Sequence, residues 1–352
     1  MDKLPFFIII ILLFLLLISV IIINLFSGSA HLTSSQILKA IAARIPLLSD
    51  SVSIDEAYIT IVWDFRIARC LVAAFVGASL GIAGAAFQGL FRNPLAAPYV
   101  IGASSGAAFG ATLAIVVSIN FSLPGFGPIQ LLAFAGSIGA VFLAYLISQS
   151  SRGLVRSAPP IISLLLAGTA LSAFFSSGVS LIMAIKLKDL HRIYFWLLGS
   201  LSTKSWPHLF SIIPWFILSF ILLLALSRPL DLLAFPDETA CGMGLDIKKS
   251  RILIIGAASV ATAAAVANSG IIGFIGLVSP HLARLLFGPK HKKLIPVSAF
   301  IGAILLVLAD NFAKSVMAPR ELPVGAFTAI LGVPFFLFLL WKRGGSLTSP
   351  GD

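Results

Sequence analysis

The sequence is poor in acidic residues and in cysteine, and both shortages restrict what the chain can be. It has 13 Asp and Glu against 24 Lys and Arg in 352 residues, so charged residues make up only 11%. A soluble domain carries roughly a quarter charged residues, and this shortage therefore excludes an ordinary soluble fold. The two cysteines, Cys70 and Cys241, lie far apart without CxxC or His-rich spacing. We interpret both as structural and expect no metal site.

The chain also lacks the motifs of nucleotide-binding proteins and of enzymes. No GxxxxGK[ST] occurs, and the segment GASSG at 102–106 lacks the lysine that a phosphate-binding loop requires. The apolar stretches contain no Ser/His/Asp set, HExxH motif or pair of carboxylates, which disfavours an intramembrane enzyme. We therefore predict a non-enzymatic chain with no catalytic residues and no directly bound cofactor.

What the chain has in abundance is apolar sequence. Apolar residues make up 59%, and the mean hydropathy is +1.07. They occur in stretches of roughly 20 residues, the length that crosses about 30 Å of hydrocarbon. The pattern predicts an all-α polytopic membrane protein, with one transmembrane domain over residues 1–352. About ten spans are predicted, near residues 4–26, 67–91, 97–118, 129–149, 159–185, 207–227, 250–268, 270–286, 294–318 and 322–341.

Two features set the expected topology in the membrane. The first apolar run is longer than that of a signal peptide, so we expect a retained span, with a cleaved signal as the alternative. An even number of spans puts both termini on one side. Placing them in the cytoplasm puts more than half of the 24 Lys and Arg there. Positive cytoplasmic loops then explain the net charge of +11 without nucleic-acid binding.

Residue size and aromatic content predict how three segments pack. Gly77, Gly81, Ala85 and Gly89 recur at every fourth position, and such stripes let helices approach closely. The segment 256–267 is largely Ala, Ser, Thr and Val, so we expect it to be buried among other helices. The aromatic-rich connection 186–206 is predicted to contain a helix at the membrane surface, with a plain loop as the alternative.

Asp310 is the only acidic residue within a predicted span, and it discriminates between energy sources. A carboxylate at mid-membrane costs about 2.5–3.5 kcal/mol on insertion scales and needs a partner. Lys314 lies one helical turn later, so we predict an Asp310–Lys314 ion pair and favour it over a proton relay. The shortage of titratable groups in the spans disfavours a proton-coupled secondary carrier, which stays the alternative from another class.

The polar segment 228–251, RPLDLLAFPDETACGMGLDIKKSR, is the most informative connection. Asp237 is predicted to cap a short helix with Glu238 in its first turn, and Gly242 or Gly244 to end it. Asp246 is predicted to start the next helix. Two short helices lying against the membrane would form a rigid surface for a partner, whereas an ordinary connection is the alternative.

Three proline-containing segments predict bends. Asn-Pro and Ser-Pro favour turns or helix starts, with Ser279 as a cap and Pro280 at the first helical position. His281 and Arg284 would then share one helical face, where a lone His is more often structural than a metal ligand. The segments are Arg92-Asn93-Pro94, Ser279-Pro280-His281 and Glu321-Leu322-Pro323.

Several long runs together resemble the permeases of type II ABC importers for iron-siderophores, haem and cobalamin. They occur in order and cover nearly the whole chain after the first span. The runs are RIARCLVAAFVGASLGIAGAAFQGLFRNPLAAPYVIGASSGAAFGA (66–111), LLLAGTALSAF (164–174), FPDETACGMGLDIKKSR (235–251), GFIGLVSPHLARLLFGPKHKKLIPVSAFIGAILLVLAD (273–310) and ELPVGAFTAILGVPFF (321–336).

The resemblance implies an assembly as well as a fold. A homodimer in the cytoplasmic membrane would be driven by two ATPase subunits, which bind ATP and Mg on the cytoplasmic side. A periplasmic or lipid-anchored substrate-binding protein would deliver the cargo from outside. The loop 228–250 would then hold the coupling helices that seat in the ATPase. Its contact or shaping residues would be Asp237, Glu238, Gly244 and Asp246.

The resemblance also suggests docking residues and a cargo. Arg66, Arg69 and Lys314 match the basic outer rim that receives the binding protein, although Lys314 replaces the arginine common there. The stretch 159–163, PPIIS, departs from the gate of cobalamin-type members. We expect an iron-siderophore cargo because it is the commonest one, with cobalamin or haem as alternatives. Its path would be lined by the second, third, fifth and eighth spans.

Overall fold

The computed structural model describes residues 5–28, 32–45, 53–118, 126–150 and 160–344, and they fold into helices. A π-helical turn at Ile61–Ile67 leads into α4, and a 3-10 turn at Leu187–Asp189 leads into α8. The α-helices are α1 Phe6–Phe26, α2 Ser34–Ala42, α3 Glu56–Thr60, α4 Ala68–Leu90, α5 Ala103–Val117, α6 Pro128–Ser150, α7 Pro160–Ile185, α8 Leu190–Leu197, α9 Trp206–Ala225, α10 Ser227–Leu232, α11 Asp237–Gly242, α12 Ile247–Ser269, α13 Ile275–Phe287, α14 His291–Ser315 and α15 Val324–Gly344.

The helices confirm the all-α membrane fold. Within the described residues, 7 helices are long and apolar enough to cross a membrane, and α5, α13 and the start of α15 are shorter apolar helices in the remaining predicted positions. The eighth span begins at Ile275 rather than at residue 270. Gly270 and Phe274 have positive φ angles, so the backbone between them leaves the helical conformation.

Helix α4 forms the centre of the bundle, enclosed by α14, α12, α13 and α9. Its small-residue stripe makes the predicted close contacts: a Cβ at Gly77 would collide with the carbonyl of Gly302, and a Cβ at Gly302 with that of Gly77. Gly84 faces the carbonyl of Gly276 on α13 in the same way. Without side chains at these crossings, the backbones touch and dispersion contacts accumulate along both helices.

Helix α12 confirms the prediction made from its small side chains. From Ala257 to Ser269 nearly every residue is buried, and the apolar window of this helix is 78% enclosed. By contrast, α1 is 6% enclosed and α7 is 17% enclosed. Those two helices therefore lie at the periphery of the single chain.

The connection 186–206 contains a helix, as its aromatic residues predict. Helix α8 buries Ile193 and exposes Tyr194 and Phe195. Gly199 after this helix has a positive φ angle, and the Ser200 N–H donates to the carbonyl of Ser269 at the end of α12. A polar connection thus fastens α8 to the end of the bundle opposite the segment 228–246.

Candidate functional site

One carboxylate joins the segment between α9 and α12 to the two most deeply enclosed helices. Arg92, just beyond α4, donates from Nη2 to Asp237 Oδ1 at 2.9 Å and from Nε to the Leu233 carbonyl at 2.6 Å. Arg251 of α12 donates from Nη2 to both oxygens of Asp237, at 2.8 and 2.9 Å. Charge-assisted hydrogen bonds of this kind are directional, so α11 has a defined position relative to α4 and α12.

A second carboxylate joins α10 to α14. Asp231 Oδ1 accepts hydrogen bonds from the backbone N–H of His291 at 3.0 Å and from its Nδ1 at 2.6 Å. Partial burial raises the pKa of Asp231, but the hydrogen bonds from His291 outweigh burial and hold it below the usual value. The carboxylate therefore stays ionised at neutral pH.

The predicted turn chemistry of this segment is partly confirmed. Asp246 caps α12, because its Oδ1 accepts from the Lys249 N–H at 3.0 Å, and Gly244 has a φ of 82° in the turn after α11. The prediction that Asp237 is a helix cap is wrong. Pro236 holds the cap position, Asp237 is the first helical residue, and its carboxylate binds arginines. Glu238 is exposed in the first turn.

The three predicted bends differ in outcome. Arg92, Asn93 and Pro94 form a turn in which Arg92 has a φ of 51° and Asn93 Oδ1 accepts from the Leu95 N–H. Helix α15 begins at Val324, directly after the Pro323 bend. Ser279 and Pro280, however, do not start a helix.

Helix α13 already begins at Ile275, four residues before the predicted cap. Ser279 Oγ donates to the Ile275 carbonyl, and Pro280 is the sixth residue of the helix, where its missing N–H removes one backbone hydrogen bond. His281 is buried and Arg284 lies half-buried one turn later. The prediction of a cap at Ser279 is therefore wrong, because the start of the helix follows the strained residue Phe274 instead.

At the opposite end of the bundle, Asp310 pairs with Arg69 and not with Lys314. Arg69 Nε and Nη2 donate to the Asp310 carboxylate at 2.8–3.1 Å, and Arg69 Nη1 donates to Glu321 at 2.8 Å. Asp310 is fully buried. The predicted Asp310–Lys314 ion pair is wrong. Helix α4 packs closely on α14, and the Arg69 guanidinium of α4 therefore lies within hydrogen-bond distance of the Asp310 carboxylate.

Lys314 instead joins a buried network with α1. Its Nζ donates to the Asn24 carbonyl at 2.9 Å and to Asn24 Oδ1 at 2.6 Å. The Cys70 thiol donates to the same Oδ1, and Asn24 Nδ2 donates to the Val307 carbonyl at 3.0 Å. One amide side chain thereby connects α1 with α4 and α14, which supports the structural interpretation of Cys70.

The three residues predicted to receive a binding protein are not exposed charges in this chain. Arg66 is 8% exposed and donates to the Leu25 carbonyl at 2.7 Å, while Lys314 is 3% exposed. The Arg69 side chain is 11% exposed and occupied by two carboxylates. All three side chains form contacts within the chain. Their docking role stays a prediction, and their burial does not favour it.

Two of the four spans predicted to line the path differ in exposure within the single chain, and their role in the path stays a prediction. The apolar window of the helix containing α4 is 89% enclosed by the same chain, so little of the second span is open to a path. Helix α7, the fifth span, exposes Thr169, Ser176, Ser177 and Ser180. At 100° per residue these hydroxyls share one side of α7. Pro159 of the predicted gate stretch lies outside the described residues.

Sequence reasoning missed three residues that carry these contacts: Asn24, Glu321 and Asp231. Asn24 gives a usable signal, since an amide inside an apolar run has to find hydrogen-bond partners. Glu321 and Asp231 lie in connections, where a carboxylate is ordinary. Only the approach of distant helices shows what these two residues bind.

Comparison with known proteins finds a matching family and several similar permeases. The FecCD transport family matches residues 15–342. A cobalamin import system permease, BtuC, of Halobacterium salinarum is 39% identical over 82% of this chain and 76% of its own length. An Fe(3+) dicitrate transport system permease, FecD, of Escherichia coli is 38% identical over 84% of this chain and 89% of its own.

A solved structure has the same fold. It is described as a metal-chelate type ABC transporter in an inward-facing conformation. Its chain is 34% identical, and the superposition gives a TM-score of 0.80 over 95% of this chain and 99% of that one.

Proposed function

The chain belongs to the FecCD transport family, and from that membership we propose that it carries an iron-siderophore complex across the cytoplasmic membrane with energy from a separate ATPase. It is a permease subunit of an ABC importer, as its relatives are. The identity of the cargo and the arrangement of the subunits are the proposed parts.

The link between Asp237 and the arginines of α4 and α12 carries the proposal. An ATPase that moves α11 would act on a carboxylate bonded to both Arg92 and Arg251. Asp231 and His291 add a connection from α10 to α14. A displacement at this surface would be transmitted to three spanning helices through these hydrogen-bonded contacts.

A homodimer accounts for the exposed side of α7. Thr169 and Ser180 satisfy their hydroxyls on the carbonyls of Leu166 and Ser176, so this face is compatible with an apolar environment. Small hydroxyl side chains also suit a weakly specific conduit that must release its cargo. We propose that the α7 helices of two copies face each other across the path, with a substrate-binding protein docking above them.

The cargo assignment is supported by relatives and not by a specificity pocket. Bacterial relatives are named for Fe(3+)-citrate, Fe(3+)-dicitrate and iron(3+)-hydroxamate import. Others of 36–39% identity are named for cobalamin, molybdate or hemin. Cells lacking their own uptake systems but expressing this permease with its ATPase and binding protein should accumulate a ⁵⁵Fe-siderophore. Uptake of cobalamin or hemin in its place would reassign the cargo.

Replacement of Asp237 tests the coupling role. Asp237→Asn should leave ATP hydrolysis by the assembled transporter in place but reduce cargo moved per ATP by about 5-fold or more, the size of an ordinary coupling energy. Because Asp237 is 44% exposed, its ion pairs add little to stability and the variant should fold. Glu56→Gln, an exposed acid at the opposite end of the bundle, is the matched control. Normal stoichiometry in Asp237→Asn would contradict the proposal.

A further inference from the structure

A cavity of about 530 Å³ lies at the end of the bundle that carries α10, between the end of α4, the end of α13 and the start of α14. We call it the α10 cavity. Its size falls within the range of small-ligand sites. Three cationic side chains line it, Arg92, Arg284 and Lys290. Arg92 is bonded to Asp237, and the one acid in the lining, Asp231, is bonded to His291. The surplus of positive charge favours an anion.

Two buried polar atoms in the wall of the α10 cavity have no hydrogen-bond partner among the described residues. They are Gln88 Oε1 and His291 Nε2, on side chains that are 1% and 5% exposed. Gln88 Nε2 donates to the Leu277 carbonyl, which fixes the amide so that its oxygen is the free atom. A buried polar atom left unpaired costs about 1–3 kcal/mol, so a ligand that supplies its partner gains affinity.

The neighbours fix the hydrogen-bonding type of one of these atoms. Gln88 Oε1 is an acceptor, because the amide nitrogen is used by the Leu277 carbonyl. His291 Nδ1 donates to the ionised Asp231 carboxylate, and Nε2 then accepts in the neutral ring and donates in the protonated ring. A hydroxyl group can pair with either form, so the cavity offers two hydroxyl-binding atoms inside and cations around them. A matching ligand carries negative charge and hydroxyl donors together.

The surroundings indicate a lipid source for this ligand. Basic pockets between spanning helices are a recurrent site for anionic headgroups. The cavity wall includes the apolar side chains of Leu230 and Phe235, and Phe235 is 50% exposed. About 15 Å deeper along α4, counted from Gln88 to Ala78 at the helical rise, lies a second pocket of about 270 Å³ lined only by apolar residues. The charged α10 cavity suits the headgroup of a lipid, and the apolar pocket suits an acyl chain.

We propose that the α10 cavity binds the phosphoglycerol or other polyol-phosphate headgroup of an anionic phospholipid. The phosphate lies against Lys290 and Arg284, and the polyol hydroxyls form hydrogen bonds with Gln88 Oε1 and His291 Nε2. The bound lipid fills the space between α10 and α14 and stabilises the segment that we propose is moved by the ATPase. The proposal does not depend on the cargo or on coupling, and it would hold for an uncoupled permease.

The first test measures lipid affinity of the purified full-length chain after delipidation. Native mass spectrometry with phosphatidylglycerol should show a single tight adduct, and phosphatidylcholine should bind about 10-fold more weakly, since one unit of headgroup charge and the hydroxyl donors are lost. Phosphatidic acid, which has the charge without the polyol, should fall between the two. Equal affinity for all three lipids would overturn the proposal.

The second test places charge inside and outside the α10 cavity. Lys290→Glu and Ala234→Glu each add negative charge at the cavity wall, where both residues are exposed enough to be replaced without loss of packing. Each should weaken phosphatidylglycerol binding about 10-fold. Lys292→Glu, an exposed residue two positions along α14, is the matched control and should bind normally. An equal loss in Lys292→Glu would show only a surface-charge effect and overturn the proposal.

A soluble ligand and the variant Lys290→Glu distinguish two other possible occupants of the α10 cavity. Free glycerol phosphate that binds as tightly as phosphatidylglycerol would assign the cavity to a soluble ligand and overturn the lipid source. Lys290→Glu that abolishes co-purification with the ATPase while lipid affinity is unchanged would assign the cavity to an acidic side chain of that partner. Lipid loss with normal ATPase binding supports the proposal.

Discussion

At the residue scale, ionic side chains at the end of the bundle opposite α10 bond to other residues of the same chain. Asp310 is fully buried and held by Arg69, which also binds Glu321. Lys314 is used by Asn24 of α1. A carboxylate held by a guanidinium in this way is a poor proton relay. Protonation of Asp310 would weaken the three hydrogen bonds that it accepts from Arg69 inside the protein.

Arg69→Gln should therefore destabilise the permease strongly. It leaves the buried Asp310 carboxylate without its counter-ion, a loss of about 3–5 kcal/mol. The expected result is a lower midpoint of thermal unfolding in detergent, with Arg320→Gln, an exposed neighbour at the same end, unchanged. The double variant Arg69→Gln with Asp310→Asn should recover part of the loss. An unfolding midpoint in Arg69→Gln like that of the parent protein would show that the ion pair is dispensable.

At the element scale, the packing of α4 against α14 and α13 depends on missing side chains. Gly77 faces the carbonyl of Gly302, and Gly84 faces that of Gly276. These crossings hold α4 in the centre of the bundle, where it can carry motion from Arg92 toward the opposite end. The same close approach leaves little of α4 open to a path.

Gly77→Ala tests this packing against a control that changes the same residue type in another span. A Cβ at Gly77 meets backbone, so the helices must separate, and we expect a loss of about 1–3 kcal/mol in stability. At Gly256 of α12 a Cβ meets nothing within 4 Å, and Ala is the better helix former. Gly256→Ala should be neutral or stabilising. If both variants unfold alike in detergent melts, close contact at Gly77 is not what stabilises the bundle.

At the scale of the whole molecule, we propose that the energy for transport comes from another chain. No nucleotide-binding motif occurs in the sequence, and Asp310, the acid within α14, is held by Arg69. The segment from α10 to α11 is bonded to α4, α12 and α14, so one surface contacts most of the central bundle. We propose that the ATPase acts on this surface.

Uptake measurements in proteoliposomes distinguish an ATP-driven importer from a proton-coupled carrier. With the ATPase and binding protein present, uptake should require internal ATP and continue when an ionophore removes the proton gradient. The permease alone should show no accumulation in an imposed gradient. Gradient-driven accumulation by the isolated chain would contradict the proposal that a separate ATPase supplies the energy.

The sequence by itself determined the membrane class, the family and the buried character of α12. These follow from local properties, since hydropathy over about 20 residues and small-residue spacing act along one helix. Only the tertiary structure decided which charges meet. Asp310 and Lys314 are neighbours on α14, yet each binds a residue from another helix, Arg69 and Asn24. Helix packing sets these distances, and no spacing along a single span contains them.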